Sequence, residues 1–144
     1  IKSLNADLIL IIAGNQIIKQ EVLDSTKYGV FNIHSSLLPN YKGLMPTFWV
    51  LKNNEQKTGV TLYQLTEGID NGPIISSKDF IIPKNIPQSE LIKKLKILAN
   101  DLVIDSIELI KNKENYKECI GGSYFKFPTN ENVEEFKNNN KRFY

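Results

Sequence analysis

Three side chains in this sequence have the types and spacing to steady a developing oxyanion and move a proton: Asn32, His34 and Asp70. His34 is the only histidine in the chain. Residues two apart in a strand leave the same face, so Asn32 and His34 would stand side by side. Asp70 lies in the stretch Thr66-Glu67-Gly68-Ile69-Asp70-Asn71-Gly72-Pro73, which is dense in turn formers. Its length argues against a tight two-residue turn and for a loop shaped to reach something. A carboxylate arriving within hydrogen-bond reach of the imidazole would fix the ring's orientation. The Asn32 amide adds a neutral donor for an oxygen that gains charge. Together the three suit acyl transfer to an amine, where a negative oxygen appears and a proton leaves nitrogen.

Other chemistries find less to work with. A metal site needs more than one histidine or a tight acidic cluster, and neither is visible, so no metal is expected. Ser35 or Ser36 could act as a nucleophile beside His34, but no Gly-x-Ser-x-Gly elbow surrounds them. The phosphate-loop and dinucleotide patterns are absent. A plainer reading also stands at this point, with His34 a packed, hydrogen-bonded residue and Asp70 a turn former in an Ile-Asp-Asn-Gly corner.

The elements that would position these residues follow from hydrophobic period. Val30-Phe31 leads into His34 as a short buried strand, and Pro39 with Gly43 punctuates the loop after it. Asp7 to Ala13 is an unbroken apolar run, which predicts a strand buried on both faces in a parallel sheet covered by helices. Between the two strands, Gln16 to Ser25 has helical spacing and Gly29 ends the connection, giving a right-handed β-α-β unit. Pro46 opens a helix through Leu51 whose aromatic face should pack on the sheet. Gly59 to Leu65 and Ile74 to Ile82 read as strands. Gln88 to about Lys111 carries Leu91, Leu95, Leu98, Leu102, Ile107 and Ile110 on one stripe, a long amphipathic helix. From Gly121 onward the chain reads as a tail with a helical segment from Glu131 to Phe136.

Bulk composition narrows the setting. With 144 residues and 41% hydrophobic content the chain can bury one core. A net charge of +2, without a block of five like charges, offers no electrostatic footprint for nucleic acid or a membrane. The single cysteine, Cys119, excludes an internal disulfide and suits a reducing compartment, and no apolar run reaches the roughly 20 residues of a membrane span. A cytoplasmic location is therefore expected. The chain begins at Ile1 and its only methionine is Met45, which reads as a fragment with strands expected upstream.

Several spaced segments resemble a known family. Asn32-Ile33-His34, Ser36-Leu37-Leu38-Pro39, Tyr41-Lys42-Gly43, Gly59-Val60-Thr61-Leu62 and Ile69-Asp70-Asn71-Gly72-Pro73-Ile74-Ile75 follow, in order, the core of the 10-formyltetrahydrofolate-dependent formyltransferases. That family includes glycinamide ribonucleotide, methionyl-tRNA and sugar-nucleotide N-formyltransferases. The resemblance implies a partial Rossmann-like α/β fold, a mostly parallel sheet flanked by helices with its N-terminal strands missing. Residues 1–144 would be the C-terminal portion of the catalytic domain, with 121–144 as a tail. It implies 10-formyltetrahydrofolate as formyl donor and catalytic roles for Asn32, His34 and Asp70. The pterin would lie between Gln16, Ile17 and Ile18 on one side and Glu67, Gly68 and Ile69 on the other. Ser123 to Pro128 resembles the ends of small formyltransferase-like proteins, which points the acceptor towards a small amine, such as a nucleotide-linked amino sugar or a glycinamide ribonucleotide-like amine. Two alternatives share the residues: a hydrolase that releases formate from the same donor, and an inactive folate-binding module. In the latter, the strand edge at Leu8 to Ile12 would pair with another copy.

Overall fold

The computed structural model describes residues 5–12, 14, 18–113 and 116–144. In chain order the elements are β1 (Ile9–Ile12), α1 (Gln20–Leu23), β2 (Val30–His34), β3 (Lys42–Gly43), α2 (Pro46–Lys52), β4 (Lys57–Gln64), β5 (Ile74–Ile81), α3 (Gln88–Asn112), β6 (Tyr124–Phe125) and α4 (Asn130–Asn138). A four-stranded sheet runs in the order β1-β2-β4-β5, and β3 pairs with β6 in a separate two-stranded ladder.

The α/β class is as expected, but the sheet is not mostly parallel over these strands. β1 and β2 pair in parallel, whereas β2–β4 and β4–β5 are antiparallel. The β4–β5 connection runs only from Leu65 to Pro73, too short for the crossover that parallel strands need. β1 is half-buried instead of covered on both faces, and Ile12 is 55% exposed. It has a strand on one side only among the described residues. The helix expected from Gln16 to Ser25 is the four-residue α1; Gln16 and Ile17 lie outside the described residues. Past Leu23 the backbone is turned by side chains: Ser25 Oγ donates to the Val22 carbonyl at 2.7 Å and Thr26 Oγ1 to the Gly29 carbonyl at 2.8 Å. Such local bonds compete with helix continuation.

Strand alternation divides the chemistry from the core. Phe31, Ile33, Val60 and Leu62 share one buried cluster with Leu91, Leu95, Ala99, Leu102 and Ile110 of α3. The intervening residues, Asn32 and His34 on β2 with Tyr63 and Thr61 opposite them on β4, leave the other face. Of the stripe read along α3, Leu91, Leu95, Leu102 and Ile110 are buried and Leu98 and Ile107 half-buried; Ala99 and Ser106 join the buried face, the Ser106 hydroxyl donating to the Leu102 carbonyl at 2.6 Å.

The aromatic face of α2 joins the buried cluster of the sheet, as expected, and also meets the C-terminal segment. Phe48 stacks on Phe136 of α4 with centroids 4.8 Å apart, Phe136 meets Phe143 at 4.8 Å, and Trp49 stacks on Phe125 of β6 at 4.8 Å. Rings of this kind carry a large apolar area and favour one another's company. α4 is started by a capping box: Thr129 Oγ1 accepts from the Asn132 amide at 3.3 Å and Asn132 Oδ1 from the Thr129 amide at 3.0 Å. Thr129→Ala should therefore lower stability by about 1 kcal/mol, read from denaturant unfolding of the chain. An unshifted midpoint would mean that Phe136 alone seats α4. Among the described residues no helix is long and apolar enough to cross a membrane.

Candidate active site

β2 delivers Asn32 and His34 to one face, and the loop that follows is tied down at once. Ser36 Oγ donates to the Asn40 carbonyl at 2.9 Å; Thr61 Oγ1 donates to the Ser36 carbonyl at 2.7 Å and accepts from the Leu38 amide at 3.1 Å. Ser36 is fully buried in this role, which leaves it no part as a nucleophile. The loop brings the Tyr41 carbonyl to 2.6 Å from His34 Nε2. A carbonyl only accepts, so Nε2 carries a proton and the ring turns Nδ1 towards Asp70, 3.6 Å from Oδ2. Tyr41 is itself held from the far side. Its ring stacks on Phe125 at 5.1 Å and its hydroxyl donates to Glu55 at 2.6 Å. Burial, then the bond to Glu55, pushes that phenol up to about 12.

Asp70 stands on the loop between β4 and β5 in the left-handed backbone region, with φ 48°, which aspartate tolerates better than most residues. Four donors hold this corner. Tyr63 Oη donates to Asp70 Oδ1 at 2.5 Å and the Gly43 amide to Oδ2 at 2.6 Å. Cys119 Sγ donates to the Asp70 carbonyl at 3.3 Å, and Lys42 Nζ to Asn71 Oδ1 at 2.5 Å. The Lys42 ammonium is almost wholly buried, with the Cys119 carbonyl as a second acceptor at 3.5 Å. Burial, followed by the charge of Asp70, pushes the Tyr63 phenol above the ordinary tyrosine range, so it remains a donor. Asn32 Nδ2 donates to the Tyr63 oxygen at 3.0 Å, while Asn32 Oδ1 is buried with no partner.

Asn32, His34 and Asp70 thus come together on one wall of a cleft of about 570 Å³. Of the residues expected to hold the pterin, Ile18, Glu67, Gly68 and Ile69 line the same cleft, and Gln16 and Ile17 lie outside the described residues. Ile12, Leu44 and Tyr124 extend its apolar lining, a size and character suited to a small organic ligand. Among the described residues no group of three His, Cys, Asp or Glu side chains could hold a metal ion. Sequence reasoning overlooked Tyr63, the Gly43 amide and the Tyr41 carbonyl. Tyr63 had one faint signal, its place in the β-rich run from Gly59 to Leu65; the other two are backbone groups, marked only by the Tyr41-Lys42-Gly43 segment of the resemblance.

Gly43 has φ 93°, and a Cβ there would strike the Phe125 carbonyl across the β3–β6 ladder. Gly43→Ala should cost about 1–3 kcal/mol in denaturant unfolding, since the conformation is strained for any other residue and its amide must let go of Asp70 to relieve the clash. Wild-type stability in that variant would show that the ladder yields freely.

Residues 1–107 match the family model described as formyl transferase. The chain is 36% identical over 127 residues to a methionyl-tRNA formyltransferase of Clostridioides difficile (strain 630), a match covering 88% of this chain and 41% of that protein. Among solved structures, it resembles WlaRD, a sugar 3N-formyl transferase crystallised in the presence of dTDP and 5-N-formyl-THF. The TM-score is 0.73 at 31% identity, over 83% of this chain and 44% of that one. It also resembles the formyltransferase PseJ from Anoxybacillus kamchatkensis, in complex with UDP-4,6-dideoxy-4-formamido-L-AltNAc and tetrahydrofolate. There the TM-score is 0.75 at 26% identity, over 85% of this chain and 66% of that one. The chain spans less than half the length of the first two. These likenesses carry the Rossmann-like formyltransferase fold expected from the spaced motifs. With the family model matching most of its length, the chain belongs to the formyl transferase family.

Proposed function

We propose that this chain transfers a formyl group from 10-formyltetrahydrofolate to a primary amine of a small substrate. The observation that carries the reading is the convergence of Asn32, His34 and Asp70, residues from a strand and a distant loop, on one wall of a single cleft. The apolar sides formed by Ile12, Ile18 and Ile69 suit a flat heterocycle, with Gly68 and Ile69 offering backbone groups to its polar edge. The bound folate supplies the formyl carbon.

The protein's own groups divide the remaining work. With both ring nitrogens protonated, His34 keeps Nε2–H on the Tyr41 carbonyl and presents Nδ1–H as the donor to the formyl oxygen as charge develops on it. Asn32 Nδ2 has a second proton beyond the one given to Tyr63, and it serves the same oxygen. Asp70 collects the proton lost by the amine, directly or through a water it orders, and that proton is matched by the one taken up by the tetrahydrofolate nitrogen as its bond to the formyl carbon breaks. The acceptor we assign is a small amine, with a nucleotide-linked amino sugar as the favoured class; the support is the ligands of the two similar sugar-modifying enzymes. A cytoplasmic setting, as a folate-dependent enzyme that uses no metal, fits the lone free cysteine.

The test is incubation of the 144-residue chain with 10-formyltetrahydrofolate and a panel of amines, followed by mass spectrometry. An amine-dependent gain of a formyl group is expected. Formate released equally with and without amine would turn the assignment to a hydrolase. Saturable folate binding without either product would turn it to a binding module.

A further inference from the structure

We propose that Tyr63 is a positioning residue for formyl transfer: its hydroxyl ties the Asn32 amide to the Asp70 carboxylate and sets which end of that amide meets the reacting oxygen. The proposal rests on the roles given above to Asn32 and Asp70. It extends them to a residue that lies between the two.

Asn32 and Tyr63 are direct partners across the antiparallel β2–β4 register, so their side chains share a face. The Tyr63 oxygen is 2.5 Å from Asp70 Oδ1 and 3.0 Å from the Asn32 amide. A carboxylate offers only acceptors, so the single phenolic proton is committed to Asp70. The phenol oxygen is then an acceptor, and the Asn32 atom facing it must be the nitrogen. Turning the amide over would set Oδ1 against an oxygen with no proton to give. The chain of bonds therefore runs one way, from Asn32 through Tyr63 to Asp70. Asn32 Oδ1 bears the consequence, buried without a partner. An amide free to choose would satisfy both ends; this one is held by its nitrogen. Because Tyr63 is only 1% exposed, water does not compete for the link.

Tyr63→Phe keeps the ring and removes the hydroxyl, and two measurements on the 144-residue chain then bear on the proposal. The first uses ligand-free protein. Side-chain amide resonances of Asn32, identified by their loss in Asn32→Ala, should exchange with solvent at least about 10-fold faster in Tyr63→Phe. Asp70→Ala, which removes the acceptor at the other end of the chain, should quicken that exchange too and serves if the phenylalanine variant fails to fold. Unchanged exchange in both variants would overturn the proposal whatever the chain's activity.

The second measurement is kinetic. In Tyr63→Phe, kcat should fall about 10- to 100-fold with the KM for the formyl donor held within a few-fold, as for a misplaced catalytic group. In an Asn32→Ala background the same change should have little further effect on kcat. Equal losses in both backgrounds, or a change confined to KM, would reduce Tyr63 to a packing residue. Faster Asn32 exchange in a chain that formylates no amine would sink the functional reading and leave the hydrogen-bond order intact.

Discussion

Exchanging Asp70 for asparagine is expected to lower kcat for formyl transfer about 1,000-fold, within the range for removing a general acid–base group. The geometry makes this substitution harsher than its small change in volume suggests. Both carboxylate oxygens accept, one from Tyr63 and the other from the Gly43 amide. The asparagine amide can accept at one position only, so its NH2 must face a donor at the other. Either the Tyr63 link or the Gly43 link is lost, together with the carboxylate proposed to take a proton from the amine. The check is single-turnover formyl transfer with a saturating amine, with melting temperature recorded beside it. A variant that turns over at the wild-type rate would remove the carboxylate from the chemistry.

His34→Ala should cost about 100-fold or more in the same assay, the loss expected on deleting one donor aimed at a developing oxyanion. The substitution also takes from the Tyr41 carbonyl its 2.6 Å bond to His34 Nε2 and leaves it only the longer one from Ser36 Oγ at 3.4 Å, so a stability loss of about 1 kcal/mol should accompany it. The two effects separate by temperature. If the lost rate were only partial unfolding, cooling well below the melting point would restore it, whereas a missing donor leaves the deficit in place. Near wild-type turnover by His34→Ala would falsify the catalytic assignment.

Much of the frame was readable from period alone. The apolar run into His34, the alternation that puts Asn32 beside it, the stripe along α3 and the proline that opens α2 are local patterns, and each produced the element expected of it. The loop at 66–73 was too long for a tight turn, and it carries Asp70 to His34. Local patterns did worse where neighbours set the outcome. The continuous apolar run of β1 implied cover on both faces, yet Ile12 is more than half exposed. The aromatic residues of α2 were read against the sheet, and they share one buried cluster with it, but their ring partners Phe125 and Phe136 come from far along the chain.

What the sequence by itself determined is the identity of the candidate residues and the shared facing of Asn32 and His34, because side-chain direction in a strand follows from backbone period. Only the tertiary structure decided how they are joined. Tyr63 became the link because β4 lies antiparallel to β2 with Asn32 opposite Tyr63, and register depends on the sum of packing over the whole sheet. The Asp70 corner is closed by Cys119, 49 residues away in sequence, and by the Gly43 amide, 27 residues away. Contacts at such separations form only when loop closure is offset by core burial, an energy that no short stretch of residues contains.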